Sequence, residues 1–279
     1  MKAAEECRYC LERLLRQAAE LATEEPQLRT KVIEEGLMLL DREFSKDKTT
    51  IAVATPLHRL VRALTGNIDP YRRIKEAELE MAAELQRSLE HNPGGDLRSC
   101  LVFAVRGNNI DFFKDLNVIL EEMGGPVEFA IDDIVKLEGE LEGAKSILYL
   151  ADNAGEVPFD LPLVNRLGGY ATVTYVVKES PVQDDIALAD VERLGMVKEL
   201  PRVITTGTDT PGVDMDMASS EFKAEFEAAD LVLAKGMGYW ETLSELPAQG
   251  RVFHLLKAKC QPVANSLHVA LNSYVALLR

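Results

Sequence analysis

Six short apolar runs in the second half of the chain constrain its fold more than any other feature of the sequence. Runs of four to six residues without a helical period are typical of strands that are buried on both faces of a sheet. They cover residues 127–130, 146–150, 172–177, 202–205, 231–234 and 252–255. Helical segments are predicted between most of them, at 132–137, 158–167, 185–194 and 221–228. Because alternating strands and helices need crossover connections, we predict a mostly parallel sheet in a three-layer α/β core.

The first 105 residues have a different pattern, since their apolar side chains recur at intervals of three and four. Leu11, Leu14 and Leu15 form one such set, and comparable sets follow along the chain. This spacing is typical of amphipathic helices. We therefore predict a helical N-terminal region at 1–105, followed at 106–279 by an α/β core that carries the metal- and phosphate-binding residues.

Composition excludes several classes of protein. Hydrophobic residues make up 47% of the 279, which indicates a globular chain with a sizeable core. No apolar run approaches the roughly 20 residues of a membrane span, and the charged N-terminus lacks a signal sequence, so we expect a cytoplasmic protein. Four cysteines do not suggest a disulfide framework. The net charge of −15 argues against partners such as nucleic acid or an anionic membrane surface.

Polar residues follow four of the predicted strands. Because the carboxyl ends of parallel strands share one edge of the sheet, the loops that begin at Asp152, Lys178, Thr206 and Lys235 are expected to converge. The oxygens of Asp152 and Asn153 suit Mg²⁺ or Mn²⁺, and glycine-rich loops let backbone N–H groups approach phosphate. Taken alone, the Asp-Asn pair is more typical of a helix cap or an Asx turn. The convergence of four loops favours a site for an anion held by a divalent cation.

Asn108 and Asp111 are three residues apart, so the start of a helix would present both side chains together. A helix N-cap with an acidic first turn explains the same pattern, and the residues alone favour that interpretation.

The cysteines and histidines give weaker signals. Cys7 and Cys10 share one helix face, which is at most half of a zinc site that Cys100 and Cys260 would have to complete. Free cysteine is also a common core residue. The histidines show no metal-ligand spacing, and His254 is expected to be a hydrogen-bonded core residue.

In this order, these stretches resemble the DUF89 family, which is also called the damage-control phosphatases. The resemblance extends over nearly the whole chain, and its C-x-x-C resembles that of a stand-alone microbial subgroup. The matching stretches are Cys7-x-x-Cys10, Gly107-Asn108-x-x-Asp111, Asp152-Asn153-Ala154-Gly155-Glu156, Lys178-x-x-Pro181 leading to Asp185, Thr206 to Asp214, and Lys235-Gly236-Met237-Gly238-Tyr239-Trp240-Glu241. Two positions depart from the family pattern, because Asp184 and Tyr239 stand where many relatives have Asn.

The resemblance implies a Rossmann-like core and a metal-dependent phosphatase that acts on small phosphorylated metabolites, including damaged ones. It implies Mg²⁺, Mn²⁺, Co²⁺ or Ni²⁺ as the cofactor. The residues that it implicates are the metal ligands Asp152, Asn153 and Asp185, the phosphate-binding Lys235 with the neighbouring Gly236, the pocket residues Asn108 and Asp111, and Gly155 and Glu156 beside the substrate.

The reaction we expect is phosphomonoester hydrolysis, with either Asp152 or a water molecule as the nucleophile. Sugar phosphates and phosphopantetheine-like compounds both fit as substrates. One alternative is a carboxyl methyltransferase that uses S-adenosylmethionine. The chain shows no clear Gly-x-Gly-x-Gly loop after the first strand, which argues against this alternative. A second alternative is a protein that binds phosphorylated metabolites without turning them over.

Overall fold

A computed structural model of the chain describes residues 1–88, 95–110 and 116–279, and this part contains one seven-stranded sheet. The strands are β1 (Phe129–Asp132), β2 (Ser146–Leu150), β3 (Thr172–Val177), β4 (Arg202–Thr205), β5 (Leu231–Lys235), β6 (Val252–Lys257) and β7 (Tyr274–Leu278). Their spatial order is β1-β7-β6-β5-β2-β3-β4. The central strands are parallel, and only the pairing of β6 with β7 is antiparallel. The predicted α/β fold with a mostly parallel sheet is therefore confirmed.

Helices precede the sheet and then alternate with its strands. In the described residues they are α1 (Glu5–Ala22), α2 (Pro26–Glu43), α3 (Thr50–Thr65), α4 (Arg72–Ser88), α5 (Leu97–Arg106), α6 (Leu116–Gly124), α7 (Ile134–Leu141), α8 (Val157–Leu167), α9 (Leu188–Arg193), α10 (Ser220–Ala228), α11 (Gly236–Leu243) and α12 (Gln261–Leu267). Helix α2 begins with Pro26, and the side chains of Thr49 and Asp96 cap α3 and α5. Within the described ranges, no helix is both long and apolar enough to cross a membrane.

Alternation along the strands divides the apolar core into two layers. Ile147 and Tyr149 of β2 face one layer, and Leu148 and Leu150 face the other. Because successive strand residues point to opposite faces, the uninterrupted apolar run at 146–150 serves both layers at once. In the first layer Tyr149 stacks on Tyr175 of β3, with ring centroids 5.2 Å apart.

Four of the described elements lie outside the ranges predicted from the sequence. Strand β7 and helices α6, α11 and α12 lie in stretches where we predicted neither strand nor helix. Helix α11 was missed because Gly236 and Gly238 are typical of loops. Helix α5 runs across the proposed boundary at residue 105, and its residues Leu101 and Ala104 belong to the first core layer of the sheet. The division of the chain at that residue stays a prediction.

His254 lies on β6 inside the core, as predicted, but its side chain forms no hydrogen bond with the described residues. Both of its ring nitrogens are buried without a partner among the described residues. The ring instead meets Trp240 edge to face, at 5.0 Å between centroids. Burial lowers the pKa of His254 to about 3, so the ring is neutral near pH 7.

Candidate active site

The order of the strands reverses between β2 and β5. From β2 the chain moves outward to β3 and β4, and it then returns to place β5 and β6 on the other side of β2. Such a reversal leaves a crevice at the carboxyl ends of the two central strands, where α/β proteins bind ligands. A cavity of about 230 Å³ lies at this position.

The two sides of the cavity differ in chemistry. Residues that follow the strands form its polar side, namely Asp152, Asn153, Gln183, Asp184, Asp185, Gly236, Lys257 and Lys259. Helices α1 and α3 cover it with Leu11, Leu14, Ile51 and Ala54. The helical region thus shields the polar side from bulk water.

Backbone hydrogen bonds between two loops bring the three predicted metal ligands together. The N–H of Ile186 donates to the carbonyl of Asp152 at 2.9 Å, and the N–H of Ala154 donates to the carbonyl of Asp184 at 2.8 Å. Asn153 and Asp185 form an isolated antiparallel bridge between these bonds. Asp152, Asn153 and Asp185 therefore lie side by side, although the sequence separates them by about thirty residues.

Burial and mutual repulsion oppose the ionisation of the carboxyl groups of Asp152 and Asp185. Burial raises the pKa of Asp152 well above its usual value, and the nearby charges of Glu156 and Asp185 add to this effect. Burial also raises the pKa of Asp185 to about 7. The ammonium group of Lys178 opposes that rise, since it lies 3.3 Å from Oδ2 of Asp185. A cation between the carboxylates would relieve the remaining repulsion.

The side-chain amide of Asn153 is held in a fixed orientation by Asp184. Its Nδ2 donates to Oδ2 of Asp184 at 2.8 Å, which leaves the amide oxygen as the free end of the side chain. Two carboxylates and an amide oxygen are hard ligands of the kind that Mg²⁺ and Mn²⁺ accept. In the described ranges, no three His, Cys, Asp or Glu side chains form a metal-binding group, so a metal at this position would need Asn153 as a further ligand.

Gly236 determines where the Asp152 carboxylate lies. Its φ of +75° is in the left-handed region, and a Cβ at this position would be only 1.7 Å from Oδ2 of Asp152. Glycine is needed here both for the backbone conformation and for the close approach of the carboxylate.

Lys235 lies beneath the cavity rather than in its lining. The side chain is fully buried, and Nζ donates to Glu156 at 2.7 Å and to Asp160 at 2.6 Å. Burial alone would lower the pKa of Lys235, but the two carboxylates raise it above its usual value. Burial raises the pKa of Asp160 to about 6 in spite of the lysine. The ammonium group is thus already held by carboxylates of this chain.

The remaining predicted residues surround this ion pair. Asn108 lines the cavity, donates from Nδ2 to Glu156, and accepts from the backbone N–H of Lys257 at 3.1 Å. Gly155 packs closely against Glu78 of α4 and against Ile110. A Cβ on Gly155 would lie 3.0 Å from a side-chain atom of each. Asp111 lies outside the described residues.

Sequence reasoning missed the two lysines that line the cavity. Lys257 ends β6, and its Nζ donates to Asn109 at 2.7 Å and to Glu122 at 2.9 Å. Lys259 is exposed and follows two residues later. Their position just after the predicted strand at 252–255 could have identified both lysines as candidate site residues. Gln183, which also lines the cavity, has a left-handed φ of 48° and contacts Nε2 of His58 at 3.0 Å.

The four cysteines do not form a zinc site. All four are free, and Cys100 belongs to the core layer beneath the sheet. Across residues 1–88, 95–110 and 116–279 no metal-binding group of cysteines is present. Cys10 contributes instead to the lining of the cavity.

Comparison with known proteins agrees with this geometry. The family model described as "Damage-control phosphatase ARMT1-like domain" matches residues 3–275. The chain belongs to this family. The resemblance in the motifs is therefore confirmed for the chain as a whole.

Damage-control phosphatase relatives are similar to this chain over its full length. A protein of Pyrococcus horikoshii named damage-control phosphatase PH1575 is 33% identical over 284 residues, which cover 99% of this chain and 98% of that protein. A damage-control phosphatase of Archaeoglobus fulgidus is 29% identical over 99% of both. The crystal structure of the DUF89 family protein from P. horikoshii superposes with a TM-score of 0.90 at 31% identity, covering 100% of this chain and 99% of that one.

Proposed function

We propose that this protein is a metal-dependent phosphatase that hydrolyses small phosphomonoesters. The observation that carries the proposal is the meeting of Asp152, Asn153 and Asp185 at the strand-order reversal, beside lysines that face the same cavity. The names of the relatives support a phosphatase and give no support to the methyltransferase alternative.

The proposed metal ligands are Asp152, Asn153 and Asp185. A divalent cation held there would supply Lewis-acid chemistry to a phosphoryl oxygen and neutralise charge that develops on it. The residues around it have supporting roles. Lys178 forms an ion pair with Asp185. Because its Nζ also donates to the hydroxyl of Tyr239 at 3.0 Å, the lysine is held in place and helps to position the carboxylate of Asp185.

Lys257 is the proposed contact for the phosphoryl group. Lys257 belongs to the cavity lining. Its backbone N–H donates to Asn108, and its Nζ donates to Asn109 and Glu122, so the side chain is fixed in place. A point charge at this position would bind a phosphoryl oxygen opposite the carboxylates. We assign Lys235 a positioning role, because it holds Glu156, which in turn accepts from Asn108.

The substitution Asp152→Asn tests the proposal. It keeps the size of the side chain and removes one of two anionic ligands, so we expect kcat/KM to fall at least about a hundredfold. Activity is measured on a panel of phosphomonoesters with Mg²⁺, Mn²⁺, Co²⁺ or Ni²⁺ and with a chelator. Calorimetric titration with Mn²⁺ gives a second readout, in which the affinity of the variant should be weaker.

Asp216→Asn is the matched control, because Asp216 is exposed and is not among the residues that line the cavity. It should retain both activity and Mn²⁺ binding. Metal-independent hydrolysis, or an Asp152→Asn variant that is as active as the control, would refute the assignment of the metal ligands.

A further inference from the structure

A second cavity, of about 480 Å³, continues outward from the first. Five residues line both cavities, so the two form one cleft; they are Cys10, Leu14, Asn153, Asp184 and Lys259. The outer cavity runs between α1 and α4 and is also lined by Arg13, Gln17 and Tyr71. A substrate whose phosphate reaches the carboxylates therefore has space for a further group in the outer cavity.

Hydrogen-bond donors meet in the outer cavity from two sides. Arg13 and Gln17 are four residues apart on α1 and so share one face of the helix. Oε1 of Gln17 accepts from the hydroxyl of Tyr71 at 3.3 Å, which leaves its amide nitrogen as a donor. Lys259 approaches from the loop after β6. Three donors, two of them cationic, thus face the same space.

The described residues provide no carboxylate partner for these two cations. In the part of the chain that the structure describes, neither Arg13 nor Lys259 forms an ion pair with a carboxylate; Arg13 has only a 4.0 Å contact with Sγ of Cys10. The two acidic residues that line the same cavity are engaged elsewhere. Asp184 accepts a hydrogen bond from Asn153, and Glu78 is buried and has interactions of its own. The cations are therefore available to a ligand in a chain with a net charge of −15.

We propose that the substrate carries a second anionic group, which Arg13 and Lys259 bind in the outer cavity, assisted by Gln17. The inference rests on the proposed phosphatase function and narrows its substrate class to phosphomonoesters that end in a carboxylate or a second phosphate. An ammonium group and a guanidinium group both form charge-assisted hydrogen bonds with such an anion.

A matched series of synthetic esters tests this substrate class. Straight-chain alkyl phosphates of three to eight carbons are prepared with a hydroxyl, a carboxylate or a phosphate at the far end, and kcat/KM is measured with Mn²⁺. At the best chain length, the esters with a second anion should be preferred over the hydroxyl ester by about tenfold or more. A preference for the bisphosphates alone identifies phosphate as the second group. The preference should decrease with added salt, because both cations are exposed.

Arg13→Gln should lower this preference by raising KM for the doubly anionic esters, with little change for the hydroxyl esters. Lys259→Gln, which also alters the lining of the first cavity, should lower kcat/KM more for the doubly anionic esters than for the hydroxyl esters. Arg16→Gln is the control on the same helix, since Arg16 is exposed and already paired with Glu12 at 2.8 Å. The control should keep the preference. Equal kcat/KM for all end groups at every length, or an equal loss of both ester classes in Arg13→Gln, would overturn the inference.

The two proposals fail in different ways. If no ester is hydrolysed with any metal, the phosphatase assignment fails, and the second-anion site is then tested by binding. In that case thermal shifts with the alkyl bisphosphates should exceed those with the hydroxyl esters in the wild type but not in Arg13→Gln. Identical shifts would overturn the second-anion site as well.

Discussion

Gly236→Ala is the sharpest test of how the site is built. The new Cβ would lie 1.7 Å from Oδ2 and 2.3 Å from Cγ of Asp152. To reach ordinary contact, which begins at about 3.4 Å, the carboxylate must move by well over an ångström. Displacements of about 1 Å in a catalytic arrangement can lower the rate by about a hundredfold. We therefore expect kcat/KM to fall by at least that factor, and the affinity for Mn²⁺ to fall with it.

The substitution also has a cost in stability that must be separated from its effect on the site. A non-glycine residue in the left-handed region costs about 1–2 kcal/mol, before any clash is counted. Gly250 provides the control, because its φ is +73° and nothing lies within 4 Å of the position of its Cβ. Gly250→Ala therefore introduces the same backbone strain without touching a ligand.

Both variants are compared by urea unfolding, phosphatase kinetics and Mn²⁺ titration. We expect each to lose about 1–2 kcal/mol from the backbone term, with a further loss in Gly236→Ala. Only Gly236→Ala should lose metal affinity and turnover. If it kept both at the level of Gly250→Ala, close packing of Asp152 on this glycine would have no part in forming the site.

Two further predictions concern buried charge and buried histidine. Lys235→Met should destabilise the fold by roughly 3–5 kcal/mol in urea unfolding, since it leaves the carboxylates of Glu156 and Asp160 buried without their cation; a loss below 1 kcal/mol would contradict the ion-pair role. His254 has a folded pKa of about 3, below its unfolded value, so its neutral form stabilises the fold above pH 6.5 and this contribution is lost as the pH falls toward 3. Between these two pKa values, His254 contributes about 1.4 kcal/mol per pH unit to the decrease in the free energy of unfolding. In His254→Leu, urea unfolding at pH 7, 6 and 5 should show a correspondingly smaller decrease. An unchanged decrease would refute the lowered pKa.

The fold could be predicted from the sequence because its parallel strands are buried on both faces and leave uninterrupted apolar runs. The end of β6 was harder to recognise. The predicted run stopped at residue 255, whereas the strand continues to Lys257. A lysine after an apolar run is typical of a loop, so the strand boundary and a lysine of the cavity were missed together. Strand β7 was missed although it is a short apolar run like the others.

The alternation of residues along β5 predicts on which face of the sheet Lys235 lies, once the two core layers are known. Leu231 and Leu233 face the core layer that contains α5 and α8, while Val232 and Ala234 face the opposite layer. Alternation therefore directs Lys235 toward α8, where it meets Asp160. The sequence gives the alternation but not which layer carries the acids. That information comes from packing between distant segments, and it decides whether a lysine at a strand end binds a ligand or the protein itself.

The charge of the cavity gives the proposed metal ion a role in substrate binding as well as in catalysis. Among the described lining residues, four are acidic (Asp152, Asp184, Asp185 and Glu241) and two are basic (Lys257 and Lys259). Their formal charge is therefore negative, and by itself it would repel a phosphate dianion. Lys178 and Lys235 do not change this, because each is buried against carboxylates of the chain. One divalent cation would bring this lining to neutrality, and in the outer cavity the formal charge of Arg13 balances that of Glu78. In such an acidic protein, an ion that activated the phosphoryl group would also offset the negative charge that opposes entry of the substrate.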